Sequence, residues 1–176
     1  MHKVSSERTY ILAESINDES LRKLSEWYSK QYDTEPQGWV SIEITCGGGN
    51  NFAGYAAIDL MTIVRKGRIQ TIGLGDVSSM AVPLFMAGEH RVVTPRTHFL
   101  LHEVGFSLSK DSKWNITELQ NFLNDMKDDQ QVYAEYVAAR SEGKLNTDDV
   151  ICMMRANTHL RGTEAVKLGI AHELMG

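Results

Sequence analysis

A serine between two structured segments is the first candidate for chemistry in this chain. Ser79 lies in the segment GDVSSMA (75–81), between a β-rich run and an apolar run with helical spacing. His102 follows 23 residues later, at the end of another β-rich run. A serine side chain at a strand-to-helix corner is not covered by its neighbours, so a base can form a hydrogen bond to it. The N-terminus of a helix also offers unpaired N–H groups that can stabilise an oxyanion. The pair therefore indicates acyl-transfer chemistry, although a serine at such a corner is more often only a helix cap.

A glycine triplet, Gly47–Gly49, follows a segment (40–45) in which apolar and polar residues alternate as in a strand. Sites in α/β sheets gather at the C-terminal ends of strands, so we expect the triplet, Ser79 and His102 to meet at one edge. Glycine lets the backbone approach a ligand closely and adopt positive φ. The triplet could thus supply an oxyanion N–H or an edge for a peptide, and a simple turn is the alternative.

Two rival sites would use neighbouring residues. His98 and His102 could share a metal ion on a helix, but Pro95 and the segment THFLL (97–101) favour a strand. Four strand residues span about 13 Å, too far for two ligands that each lie about 2 Å from one ion, so we expect no metal. Cys46, beside the triplet, could be a nucleophile if exposed, but a buried or turn cysteine is the commoner case.

The rest of the chain alternates strand-like and helix-like segments, which predicts an α/β fold with largely parallel strands. Strands are expected at 10–13, 40–45, 69–74, 91–93 and 97–101, and helices at 21–32, 52–63, 80–86, 147–156 and 163–169. Thr147 is predicted to cap the fourth of these helices. Within residues 110–144 the apolar spacing predicts a helix of about 25 residues, about 38 Å long. Such a helix could protrude and pack on another subunit, or simply lie on the surface.

Composition restricts the class of protein. The 176 residues are predicted to form one domain, 1–176, and a net charge of −5 gives no basic footprint for nucleic acid or an anionic membrane. No apolar run reaches the length of a membrane span, and the first eight residues lack the apolar core of a signal peptide. Cys46 and Cys152 match no zinc or redox spacing, which is typical of reduced thiols in the cytoplasm. We therefore expect a cytoplasmic protein.

Several segments resemble the proteolytic subunit of the Clp protease, a family within the crotonase-like superfamily. In that family a strand leads into a Gly-rich turn and a helix with the spacing Gly-x-x-x-x-Asp-x-Met. A Gly-x-x-x-Ser-Met turn and a helix that ends in Ala-Gly come next. A strand that ends in Ile-His-Gln follows, and a Pro-Glu-Ala-x-x-x-Gly helix closes the pattern. The matching residues are Gly47–Gly49 with Gly54, Asp59 and Met61, then Gly75, Ser79-Met80 and Ala87-Gly88, then Leu101-His102-Glu103, then Thr163-Glu164-Ala165 and Gly169. The resemblance covers about residues 8–169.

The resemblance implies a spiral of strand-strand-helix units with a long protruding helix, and a serine peptidase that encloses its site in a ring of subunits and needs no cofactor. It implies Ser79 as nucleophile, His102 as base, and the N–H groups of Gly49 and Met80 as the oxyanion hole. The substrate would be a peptide or unfolded protein, bound as an added strand. The family's orienting aspartate falls on Asn157, whose carbonyl can accept from a histidine but carries no charge.

Three departures from the family leave further interpretations open. Asn157, Gly47 in place of the family's proline, and the seven residues before Arg8 all differ from the pattern. Because the family's N-terminal segment contacts an ATPase, the short N-terminus argues against an unfoldase partner. The first alternative is a catalytically weak structural subunit that forms rings. The second, a crotonase-type acyl-CoA enzyme, is disfavoured because its oxyanion loops need no Ser-Met with a distal histidine.

Overall fold

The computed structural model describes residues 1–105 and 113–176. The strands are β1 (Thr9–Leu12), β2 (Trp39–Cys46), β3 (Arg68–Ser78), β4 (His90–Val93), β5 (His98–Leu101), β6 (Thr158–Arg161) and β7 (Glu173–Leu174). The helices are α1 (Asp18–Thr34), α2 (Asn51–Asp59), α3 (Ala81–Met86), α4 (Ile116–Arg140), α5 (Thr147–Arg155) and α6 (Gly162–Lys167). A short 3₁₀ turn (Ser6–Arg8) precedes β1.

The strands form one sheet in which β1, β2, β3, β4 and β7 lie side by side and run parallel. The central strand, β3, pairs with β4 through its first half and with β5 through its last three residues. Strand β6 then adds to β5 antiparallel. The predicted α/β fold with largely parallel strands is confirmed, and β3 is longer than expected because it continues to Ser78 and so carries the chain directly to Ser79.

Helix α3 lies at the centre of the hydrophobic core. All six of its residues are buried, as are the alternating residues Val40, Ile42 and Ile44 of β2. The ring of Phe85 in α3 packs edge-on against Phe99 of β5, with centroids 5.4 Å apart. A helix that is apolar on every side needs such a position, and it fixes the strand-to-helix corner between β3 and α3.

Helix α2 ends earlier than the apolar spacing predicts. Residues Leu60–Val64 continue it as a π-helical turn, in which the Arg65 N–H donates to the Leu60 carbonyl at 2.8 Å. The Tyr28 hydroxyl, buried under this turn, donates to the Arg65 carbonyl at 2.7 Å. The Arg65 carbonyl, at the end of the helix, thus has a hydrogen-bond donor in the Tyr28 side chain of α1. This contact favours the π-helical turn over a regular helix end.

Helix α4 has the predicted length of 25 residues. Its buried residues, Tyr133, Ala134 and Val137, all lie in its C-terminal half, whereas Ile116 near its start is 86% exposed. The long helix therefore packs on the core through one half only. Within residues 1–105 and 113–176 no helix combines the length and hydropathy needed to cross a membrane.

The cap of α5 differs from the sequence prediction. Asn146, not Thr147, is the N-cap: its side chain accepts from the Asp149 N–H at 2.9 Å, and the Asp149 carboxylate accepts from the Asn146 N–H at 2.9 Å. The asparagine has the extended backbone that a cap requires, and its partner three residues on completes a reciprocal pair.

Candidate active site

Ser79 lies between the end of β3 and the start of α3 with φ at 55°, in the left-handed region that non-glycine residues rarely adopt. Three contacts hold this backbone. The Ser79 N–H donates to the Leu100 carbonyl of β5 at 2.8 Å, and the Ser79 carbonyl accepts from the Val82 N–H at 2.9 Å and from the Tyr133 hydroxyl at 3.1 Å. Because a sheet strand, α3 and α4 all contribute, the corner is fixed in a conformation that presents the half-buried serine side chain.

The glycine triplet packs directly against this corner. Gly48 has φ at 99°, and a Cβ placed on it would lie 2.6 Å from Ser79 Cβ and 2.8 Å from the Ser78 carbonyl oxygen. No side chain larger than hydrogen fits there without displacing the serine. The triplet and Ser79, two of the three groups expected to meet at one edge, therefore lie together, through a backbone approach that requires glycine.

Gly49 directs its own N–H away from Ile16. Ile16 donates to the Gly48 carbonyl at 2.9 Å and accepts from the Asn50 N–H at 2.8 Å, which in a parallel bridge directs the Gly49 N–H to the opposite side. Within the described part of the chain, neither the Gly49 nor the Met80 N–H donates to a partner. Gly49 is exposed and lines the cleft beside Ser79, whereas Met80 is fully buried and does not line it, so the oxyanion hole stays a prediction.

His102 follows β5 and lines the same cleft as Ser79 and Gly49. Its Nδ1 lies 2.6 Å from the carbonyl oxygen of Glu103. A carbonyl can only accept, so Nδ1 is the donor, and in the neutral form of the ring this leaves the lone pair on Nε2. This is the tautomer that a general base facing a serine needs.

Asn157 occupies the turn between α5 and β6, with φ at 49°, and its N–H donates to the Met154 carbonyl at 3.0 Å. The β5–β6 register pairs Leu101 with Thr158, so one step further would set His102 opposite Asn157. Among the described residues, however, His102 makes no hydrogen bond to either Asn157 or Ser79. Catalytic hydrogen bonds in enzymes without substrate are often long and tighten on binding, so the roles of these residues stay predictions.

A cleft of about 410 Å³ opens beside Ser79, which is within the size range of ligand sites. Its walls are the start of α2, the segment after β5 and one face of α4. The lining residues are Gly49, Asn50, Asn51, Phe52, Ser79, His102, Glu103, Val104, Gly105, Asp129, Tyr133 and Met154.

Tyr133 contacts the Ser79 backbone, and sequence reasoning missed this contact. The apolar spacing of α4 indicated only a core residue, yet its hydroxyl holds the Ser79 carbonyl while its ring is buried. Burial raises the pKa of Tyr133, so the hydroxyl stays a neutral donor. The only signal in the sequence is that a tyrosine in an apolar stripe needs a polar partner for its hydroxyl.

The rival sites have other partners. His98 lies on strand β5, as expected, and contacts His159 (Nε2 to Nδ1, 2.8 Å) and Asp76 (Nδ1 to Oδ1, 3.2 Å) rather than His102. Within residues 1–105 and 113–176 no group of three or more metal-binding side chains comes together. Cys46 is buried, and burial raises the pKa of its thiol, which disfavours the nucleophilic thiolate.

The fold and the site define a mixed α/β protein with a serine at a strand-to-helix corner and a histidine beside it. The model of the Clp protease family matches residues 1–176, so the chain belongs to that family. A similar protein is the ATP-dependent Clp protease proteolytic subunit 2 of Treponema denticola, which is 31% identical over 105 residues. That match covers 58% of this chain and 52% of the relative, so it spans about half the length of the curated protein.

Proposed function

We propose that this protein is a serine peptidase that cleaves peptide bonds through an acyl-enzyme on Ser79, with His102 as general base. One observation carries the proposal. Ser79, held in a left-handed corner, shares a cleft with His102, whose Nδ1 proton is fixed on a carbonyl so that Nε2 is free to accept. Membership of the Clp protease family supports the same reaction class.

The proposed first step joins the Ser79 oxygen to the carbonyl carbon of the substrate. The hydroxyl proton passes to His102 Nε2, and the carbonyl oxygen becomes an oxyanion that accepts from the N–H groups of Gly49 and Met80. The C–N bond then breaks, and His102 returns the proton to the leaving amine. In the second half, water attacks the ester, gives its proton to His102, and releases the acid as the Ser79 hydroxyl is restored.

The substrate is proposed to be an extended peptide of an unfolded protein. Ile16 occupies one side of the backbone at Gly49, and the other side faces the cleft with its N–H unpaired among the described residues. A peptide can add to this edge as a further strand.

Copies of the chain are further proposed to assemble into a ring. This proposal is supported by exposed apolar residues at the start of α4, namely Ile116, Leu119 and Leu123.

Covalent labelling tests the proposed nucleophile. A fluorophosphonate should form a phosphorus–oxygen bond at Ser79 with release of fluoride, because only an activated serine reacts quickly with this reagent. Digestion and mass spectrometry should then place the adduct on Ser79 and not on its neighbour Ser78. A protein that is not labelled, or is labelled at another serine, would rule out the proposed chemistry.

The second candidate function is a catalytically weak subunit that forms rings. It is favoured by the fact that the acceptor on His102 Nδ1 is a neutral carbonyl, while the neighbouring position holds the uncharged Asn157. A charged acceptor stabilises the imidazolium that forms during the reaction, and a neutral acceptor does so less well.

Asn157→Asp is therefore expected to raise kcat for a fluorogenic peptide by about 10- to 100-fold, part of the roughly 10⁴-fold that the reverse change costs in a chymotrypsin-type triad. Asn157→Ala is the matched control and should stay within about threefold, since the native amide makes no bond to the ring. If the aspartate gives no increase, residue 157 does not act on His102. Ring assembly without turnover in any variant would favour the second candidate.

A further inference from the structure

The cleft beside Ser79 is acidic. Glu103 and Asp129 both line it, and among the lining residues that the structure describes there is no lysine or arginine. The one basic side chain in the lining, His102, has its Nδ1 proton committed to a carbonyl and is neutral when it acts as a base. A cleft with this charge favours a cationic ligand group over an anionic one.

The two carboxylates differ in their partners. Glu103 is already engaged, with Oε1 at 3.8 Å from Arg155 Nε and at 3.4 Å from the amide nitrogen of Gln130. Asp129 has no cationic partner within residues 1–105 and 113–176, and the Asn51 side chain is its only hydrogen-bond donor there. Partial burial raises the pKa of Asp129, which is consistent with a carboxylate that lacks a cationic partner.

Asp129 also lies close to the reacting residues. It precedes Tyr133 by four residues on α4, so the two side chains are neighbours on one helix face about 6 Å apart. The Tyr133 hydroxyl in turn contacts the Ser79 carbonyl at 3.1 Å. A long side chain on the substrate residue whose carbonyl lies at Ser79 can therefore extend along α4 to Asp129.

A buried tyrosine lies near Asp129. The Tyr55 hydroxyl is buried and has no hydrogen-bond partner among the described residues. Burial, together with the charge of Asp129, raises the pKa of Tyr55 to about 12, so this hydroxyl is near the carboxylate and stays neutral. Because this hydroxyl is buried and Tyr55 does not line the cleft, it adds no charge beside Asp129, and the Asp129 carboxylate is the group that can accept from a lysine ammonium.

On the basis of the proposed peptidase function, we propose that Asp129 makes this site selective for peptides with a lysine or arginine at the residue whose carbonyl Ser79 attacks. A cationic side chain gives the partly buried carboxylate its missing partner and gains a charge-assisted hydrogen bond. An apolar side chain in the same place removes more water from Asp129 and supplies no partner, so it is disfavoured. The selectivity then comes both from the attraction between Asp129 and a cationic side chain and from the desolvation cost of placing an apolar side chain there.

Matched fluorogenic peptides that differ only in this residue test the selectivity. The native protein should cleave the lysine peptide with kcat/KM at least about tenfold higher than the leucine peptide. In Asp129→Asn the ratio should fall to about one, because the partner charge is lost. Asp128→Asn removes the same charge from an exposed neighbour on α4 outside the cleft, and it should leave the ratio unchanged. Equal or inverted rates in the native protein would overturn the proposal.

Binding separates a failure of selectivity from a failure of the peptidase function. Uncleaved peptides titrated into Ser79→Ala should bind at least about tenfold more tightly with lysine than with leucine, and adding Asp129→Asn should abolish the difference. This result does not depend on turnover. Labelling of Ser79 with equal peptide binding would reject the selectivity alone. Absent labelling with lysine-selective binding would reject the nucleophile and keep the assignment of Asp129.

Discussion

Replacing Ser79 with alanine is expected to lower kcat for peptide hydrolysis by at least about 10⁴-fold, because the variant lacks the oxygen that forms the acyl-enzyme. The backbone contacts of residue 79 use only its N–H and carbonyl, so the variant should fold and bind peptide as the native protein does. Turnover of a fluorogenic peptide, measured at enzyme concentrations high enough to detect the residual rate, checks the expected loss.

Ser78→Ala provides the matched control. Ser78 is buried, and its hydroxyl donates to Asp76 Oδ1 at 2.5 Å instead of facing the cleft. Its removal should change kcat by less than about threefold and cost about 1 kcal/mol of stability through the lost hydrogen bond. Should the two variants exchange these outcomes, Ser78 would be the nucleophile and the proposed site would need to be rebuilt around it.

Gly48→Ala is expected to lower kcat/KM by about 10²-fold or more, since a misplacement of about 1 Å at a reacting group costs that much. The added methyl group would meet Ser79 Cβ at 2.6 Å, the Ser78 carbonyl oxygen at 2.8 Å and the Met80 nitrogen at 3.1 Å. None of these atoms belongs to a flexible side-chain end, so either the glycine segment or the serine corner must move. Overpacking of this kind also costs about 1–3 kcal/mol of stability.

Gly143→Ala isolates the backbone part of this effect. Gly143 has φ at 76°, in the same half of φ space as Gly48, but a Cβ there would meet no atom within 4 Å. It should lose about 1 kcal/mol from the left-handed conformation alone and keep its peptidase rate. Thermal unfolding and kcat/KM, measured for both variants, separate the two causes. Equal kinetics for Gly48→Ala and the native protein would show that the glycine does not constrain Ser79.

The parts of the fold that follow from periodicity could be predicted from the sequence. The alternation of apolar and polar residues in 40–45 predicted β2, and the apolar run after Ser79 predicted the buried helix α3. Both could be predicted because the spacing of apolar residues indicates which faces of an element are buried. The length of α4 followed in the same way. The junctions between these elements then indicated where a site could form.

Contacts between residues far apart in the sequence could not be predicted in this way. The Tyr133 hydroxyl reaches Ser79 across 54 residues, and His98 pairs with His159 rather than with the nearer His102. The acceptor for His102 Nδ1 is a backbone carbonyl, a group that every residue carries and that no sequence motif can single out. Side-chain partners chosen by spacing alone therefore missed the groups that hold the candidate site.

The three contacts that hold the Ser79 backbone come from segments that are synthesised at different times. The Val82 N–H follows the serine at once, Leu100 is made later, and Tyr133 is made later still. The left-handed corner is costly without these bonds, so it becomes stable only after β5 has paired and α4 has docked. A chain still emerging from the ribosome, or one whose long helix has come away, would hold the serine without its working conformation. On the proposed function, peptide cleavage would then be confined to the completed fold, and an incomplete chain would not cleave neighbouring proteins.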